Sequence, residues 1–168
     1  MTLSMYQASI PVFIRGLNNL SAILTKAETY AAEKKIEPGV LINARLAPDM
    51  FPLSRQIQIA TDGVKGCAAR LAGIEIPSYP DTETTFSELQ ARISKTIAFI
   101  KSVTGAQIDG TEGRDIALKA GPRELKFKGQ DYLLGFVIPN FYFHTTAAYA
   151  ILRHNGLAIG KMDFLGNS

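Results

Sequence analysis

Met50-Phe51-Pro52-Leu53-Ser54-Arg55-Gln56-Ile57-Gln58-Ile59-Ala60-Thr61-Asp62-Gly63-Val64-Lys65-Gly66-Cys67-Ala68-Ala69-Arg70-Leu71-Ala72-Gly73 is the segment on which the fold turns. Met50, Ile57, Val64 and Leu71 fall at steps of seven. Leu53, Ala60 and Cys67 form a second row at the same step. Two such rows make an a/d seam, which keeps one stripe of a helix against partner helices along its whole length. Pro48 suits a first helical position, and Asp49 favours the positive end of the helix dipole. Pro52 then falls in the first turn, where proline is tolerated. A long helix is expected from about Pro48 to Gly73.

The flanking segments supply its partners. Tyr6, Ile10, Phe13, Leu17, Leu20, Leu24, Ala27 and Ala31 alternate by four and three, so a first long helix precedes the seam. Pro11 is expected to kink its first turns, Asn18-Asn19 to soften its middle, and Ile36-Glu37-Pro38-Gly39 to end it. Val40 to Ala47 reads as a connector with a helical turn. Downstream, Pro77, Pro80 and Asp81 mark a loop. Thr85-Phe86-Ser87-Glu88 fits a capping box, and Phe86, Leu89, Ile93, Ile97 and Ile100 mark a third helix behind it. Ile116 and Leu118, then Leu125 and Phe127, alternate by two across Ala120-Gly121-Pro122, which predicts a small hairpin over Asp115–Lys128. Tyr132 to Ile138 is apolar nearly all round, as a buried helix would be. Pro139 is expected to break or kink it before a last helix that runs from Asn140 to about Arg153 and stops at Asn155-Gly156. The tail to Ser168 reads as irregular. Four long amphipathic segments with one β insert before the last predict a mainly all-α fold, an antiparallel four-helix bundle in a single domain over residues 1–168.

Composition excludes several classes. The 168 residues carry 46% apolar and 20% charged side chains, ordinary for a globular chain. A net charge of +3, scattered with no basic block, argues against nucleic acid as a partner. No apolar run approaches the roughly 18 residues of a spanning helix, so no membrane partner is expected. The first residues lack the pattern of a signal peptide, and the single cysteine cannot form an internal disulfide; a cytoplasmic location is the expectation.

Both histidines, His144 and His154, lie in the segment Pro139–Gly156. Ten residues apart on one helix, they are separated by roughly 15 Å along the axis and about 80° around it. One ion cannot bridge them, and the residues a turn away, Ala148 and Ala150, carry no donor. His154 belongs to a helix end, where a cationic ring favours the dipole. His144, near the expected helix start and close in sequence to Asn140, Tyr142 and Tyr149, is the candidate proton carrier, and a helix N-terminus would favour its neutral ring. Cys67 is a core position rather than a nucleophile. Arg45, Asp49, Arg55 and Gln56 cluster at the start of the second long helix. Arg45 offers a planar fork for a carboxylate or phosphate, while Asp49 and Gln56 can orient His144. Gly156-Leu157-Ala158-Ile159-Gly160-Lys161 is one residue short of a phosphate loop, and Met162 stands where that loop needs Ser or Thr.

Asn43-Ala44-Arg45-Leu46-Ala47-Pro48-Asp49-Met50-Phe51-Pro52-Leu53 and Pro139–Gly156, followed by Gly160-Lys161-Met162-Asp163-Phe164-Leu165-Gly166, together resemble an uncharacterised bacterial domain family grouped with the DinB/YfiT-like four-helix proteins. The resemblance spans essentially the whole chain and implies a DinB-like bundle and a homodimer. In the broader group three histidines, one from the second helix and two from the last, often hold a divalent metal, and some members are thiol-dependent transferases or isomerases. This sequence has no histidine in its second long helix, where Gln56 or Asp49 stand nearest, so no metal site of that kind is expected.

The reading is thus a DinB-like protein of unknown activity with a small-molecule pocket near His144. His144 and Asp49 are the candidate catalytic residues; Arg45, Gln56, Asn140 and Tyr142 are the candidate ligand contacts. No residue specifies a cofactor. The alternatives are a metal-dependent transferase or isomerase using His144 with carboxylates, and a non-catalytic interaction or stress-related module.

Overall fold

The computed structural model describes residues 3–166. Helix α1 spans Ile10–Lys34, α2 Pro38–Ile42, α3 Leu53–Ala72, α4 Phe86–Lys101 and α5 Gly105–Ile108. Strands β1, Asp115–Ala120, and β2, Arg123–Lys128, follow. The short α6, Gly129–Asp131, then leads through a π-helical segment, Tyr132–Val137, into α7, Ile138–His154; α8, Lys161–Leu165, closes the chain.

The seam residues do what their spacing demands. Leu53, Ile57, Ala60, Val64, Cys67 and Leu71 are all fully buried. The helix start differs from expectation. α3 begins at Leu53, with Pro52 as its extended N-cap, so Pro48, Asp49 and Met50 belong to the preceding loop. Two prolines four residues apart explain the shift, because each disfavours helical geometry in the residue before it. α1 likewise starts at Ile10 rather than at Tyr6. Pro11 therefore falls in the first turn, where its missing N–H costs no helical bond, and causes no kink. Lys35 ends α1 in the left-handed conformation, and Gly73 ends α3 the same way at φ 69°. The capping box of α4 forms: Glu88 N–H donates to Thr85 Oγ1 at 3.2 Å, and Thr85 N–H donates to Glu88 Oε2 at 3.0 Å.

Four long helices form a ring in the order α1, α4, α3, α7. Their directions follow from matched heights. Along α3, Gln56 meets His144 and Arg70 meets Tyr132, so α3 and α7 run antiparallel. Along α1, Phe13 packs on Phe141 while the Tyr30 hydroxyl donates to Asn155 O, so α1 and α7 run parallel. Ser21 meets Gln90, and Tyr6 N–H donates to Asp109 beyond the end of α4, so α1 and α4 run antiparallel. The bundle is therefore up, down, down, up. Two neighbouring pairs are antiparallel and two are parallel. The links α1 to α3 and α4 to α7 cross the diagonal of the ring.

The hairpin forms with Ile116 opposite Phe127 and Leu118 opposite Leu125. Its exit is tight: a β-carbon on Gly129 would stand 2.1 Å from Thr111 O, so only glycine fits there. Tyr132–Val137 is not the buried helix that its composition suggests, since Leu134 and Gly135 are exposed. Nor does Pro139 break it. Ile138 N–H donates five residues back, to Leu133 O, and this wider π turn carries the chain past the proline, which has no N–H to give. The tail is not wholly irregular, because α8 folds back onto α1. Among the described residues, no helix is long and apolar enough to cross a membrane.

Candidate functional site

Gln56 projects from the first turns of α3 into the α3–α7 seam, where both of its amide atoms are used. Its Nε2 donates to Phe51 O at 3.0 Å, on the loop just before α3. Its Oε1 lies 2.7 Å from His144 Nδ1. An amide oxygen only accepts, so the proton of that contact belongs to His144 Nδ1. The ring is thereby assigned as the Nδ1–H tautomer, and Nε2 carries the lone pair. His144 is only 8% exposed. Burial, and secondarily the nearby Arg55 guanidinium, hold its pKa below the ordinary histidine value of 6.5. The result is a neutral imidazole with one unprotonated nitrogen.

The reason for neutrality differs from the helix-start argument. α6, the π segment and α7 form one continuous helical run, so His144 lies well inside it. Dehydration, not the dipole of a helix start, suppresses its charge. Phe143 stands edge-on to the ring, with centroids 5.2 Å apart, and is itself exposed. Phe51 is also exposed, and the Arg55 guanidinium lies 5.9 Å from its ring centroid.

The other predicted residues divide. Asn140, one turn before His144, faces α3: a β-carbon on Gly63 would lie 3.6 Å from its Nδ2. Arg45 and Asp49 are exposed on the loop before α3. Arg45 Nη1 donates to Met50 O at 2.6 Å, which braces the residue preceding Phe51. Asp49 makes no side-chain hydrogen bond or ion pair among the described residues. Tyr142 is two positions from His144, about 200° around the helix, and opens onto a different groove, between α1 and α7. His154 occupies the exposed last turn of α7. Cys67 is fully buried, and burial pushes its thiol pKa well above the ordinary range, as for a core side chain rather than a nucleophile.

Sequence reasoning missed Arg92. This buried side chain of α4 gathers three carboxylates. Its Nη1 donates to Glu83 at 2.9 Å and to Pro80 O at 3.1 Å. Its Nη2 faces Asp62 at 2.9 Å and Asp81 at 3.0 Å, charge-paired though not aligned as good hydrogen bonds. Nε donates to Thr61 at 2.9 Å. Tyr79 carries the ammonium of Lys65 at 3.9 Å and of Lys95 at 4.3 Å from its ring centroid. Asp81 also pairs with Arg55, and Glu83 accepts from Gln58 at 2.9 Å. The cluster pins the 73–85 loop to α3 and α4 and joins it, through Arg55, to the His144 neighbourhood. A signal was present in the sequence: Arg92 falls one position from the apolar stripe at Leu89, Ile93 and Ile100.

The donor set at His144 does not fit a resident metal ion. It offers one ring nitrogen, and Gln56 Oε1 is already committed to the ring. Among the described residues, no three His, Cys, Asp or Glu side chains come together as a metal-holding group.

Comparison with known proteins places the chain. Residues 5–165 match the model of a domain of unknown function, DUF1993. A crystal structure of a DinB family member protein from Shewanella denitrificans is 39% identical and superimposes with a TM-score of 0.87, covering 97% of this chain and 92% of that one. No curated protein matches. The chain is thus a member of the DUF1993 family of domains of unknown function, with the DinB four-helix fold.

Proposed function

We propose that the protein binds a small protic molecule beside His144 and that Nε2 of the neutral ring takes its proton or its hydrogen bond. The observation that carries this reading is the 2.7 Å contact between His144 Nδ1 and Gln56 Oε1, with Gln56 itself oriented by Phe51 O. A neutral imidazole whose tautomer is fixed by a neighbour is the form a general base requires. In this role Nε2 accepts the proton of an O–H or S–H group, and the Nδ1–H bond to Gln56 persists in the imidazolium. Gln56 is the positioning residue. Phe51 and Phe143 offer apolar walls, and Arg55 offers a cation for an anionic substituent. Asn140, one turn below, supplies a further polar contact. Arg45 and Asp49, on the loop that carries Phe51, meet a charged ligand at the rim. The setting of this reading is a homodimer in a bacterial cytoplasm.

Diethyl pyrocarbonate, which acylates unprotonated imidazole nitrogen, tests the site. His144 is expected to be modified, with a rate that reaches its plateau at lower pH than that of a free imidazole. Site-by-site mass spectrometry separates it from His154. An unreactive His144 in the folded protein, or one that follows the pH profile of a free imidazole, would leave the Gln56–His144 pair as a packing device and favour the non-catalytic reading.

A further inference from the structure

The seam between α1 and α7 is the least closely packed side of the ring, and a groove of about 330 Å³ opens there. α8 walls it through Phe164 and Leu165. Three contacts hold α8 in place. Asn19 Nδ2 donates to Phe164 O at 3.1 Å, Lys26 pairs with Asp163 at 2.5 Å, and Tyr149 meets Phe164 edge-on with centroids 5.9 Å apart. The groove is apolar along Val12, Leu20, Ile23 and Phe141. Phe141 reaches its place because residue 16 is glycine: a β-carbon there would stand 2.7 Å from the Phe141 ring.

The polar lining is unequal. Asn19 and Thr145 already spend a donor, on Phe164 O and on Phe141 O at 2.9 Å. Arg15 and Tyr142 also line the groove, yet among the described residues neither side chain makes a hydrogen bond or an ion pair. A cationic fork and a phenolic hydroxyl, both exposed, therefore line an apolar trough with no protein partner among the described residues. A guanidinium recognises a carboxylate bidentately. The volume lies near the lower end of ligand pockets, about 300 to 1,000 Å³.

We propose that this groove is a second ligand site, separate from His144, which takes a small monocarboxylate with an apolar tail. Arg15 and Tyr142 hold the carboxylate, and the tail lies between α1 and α7 against Phe141 and Phe164. Tyr142 and His144 leave α7 about 200° apart, so a ligand in one site does not reach the other.

Octanoate is the probe, and 1-octanol is the control with the same tail and no charge. Titration calorimetry of the full chain is expected to show octanoate binding that weakens tenfold or more in Arg15→Ala, the loss that follows from removing a charge-assisted pair. Octanol is expected to bind weakly and equally to both proteins. Arg15 is exposed, so the substitution leaves folding intact, which a thermal melt checks. Octanoate is expected to leave the diethyl pyrocarbonate reactivity of His144 unchanged. The proposal is overturned if octanoate binds no better than octanol or not at all, or if Arg15→Ala binds it unchanged. Protection of His144 from the reagent by octanoate would move the ligand to the other site and overturn it too. Methyl resonances of Val12 and Ile23 should shift on octanoate addition. If dilution alone shifts them, a second copy of the chain fills the groove and the proposal falls.

Discussion

At the scale of single residues, His144 shows how an amide can set the chemistry of an imidazole. The sequence pointed to both partners of the 2.7 Å contact, because His144 and Gln56 were read as reactive types near two helix starts, although His144 in fact lies well inside its helical run. It could not reveal the tautomer, which depends on Phe51 O holding the amide in one orientation. A pH dependence follows. The folded-state pKa of His144 lies below the ordinary 6.5, so the unfolded chain takes up a proton first as pH falls. Above that value both states are neutral and the residue adds no pH dependence. Below it stability declines, and the decline levels off once pH has passed the folded pKa. Relative to His144→Gln, the wild type is expected to lose stability in urea titrations as pH drops below 6.5, with His154 common to both proteins. A constant difference between them across this range would refute the assignment of a buried neutral ring. Arg45 and Asp49 were read onto a helix start and stand instead on a loop, because Pro52 moves that start to Leu53.

Among the elements, periodicity was legible and junctions were not. The a/d rows of α3, the stripe of α1, the capping box of α4 and the hairpin register all follow from local spacing, since each is decided within a few residues of backbone. The π turn at Tyr132–Val137 was not legible, although Pro139 was. A proline announces a lost hydrogen bond but not whether the helix breaks or widens. The 73–85 loop is the other case. Its prolines marked it as irregular, yet its position is set by Arg92, which reaches Asp81, Glu83 and Pro80 O from α4. Arg92→Ala is expected to destabilise the fold by about 2–3 kcal/mol. That is less than the roughly 3–5 kcal/mol of a fully buried pair, because Asp62 and Asp81 keep contact with water. Limited proteolysis of that variant should cut first between residues 73 and 85. A variant with wild-type stability and no new cleavage there would show that the loop is held by other contacts.

For the whole molecule, the four-helix bundle implied by four amphipathic stripes is observed, with two antiparallel and two parallel neighbouring pairs, in a chain whose relative from Shewanella denitrificans superimposes with a TM-score of 0.87. The proposed homodimer belongs to this scale. Light scattering coupled to size exclusion is expected to give twice the 18.3 kDa chain mass at micromolar concentration, and a mass of one chain would reject it. The number of long helices, the buried stripes of α1, α3 and α4 and the hairpin were determined by the sequence by itself, because hydrophobic periodicity and turn chemistry act over distances shorter than one element. The ring order α1, α4, α3, α7, the parallel pairing of α1 with α7 and the groove between them were decided only in the tertiary structure. So was the meeting of Gln56 with His144, 88 residues apart in the chain. An apolar stripe states that a helix must bury one face, but which partner covers it depends on how every helix closes on the same core.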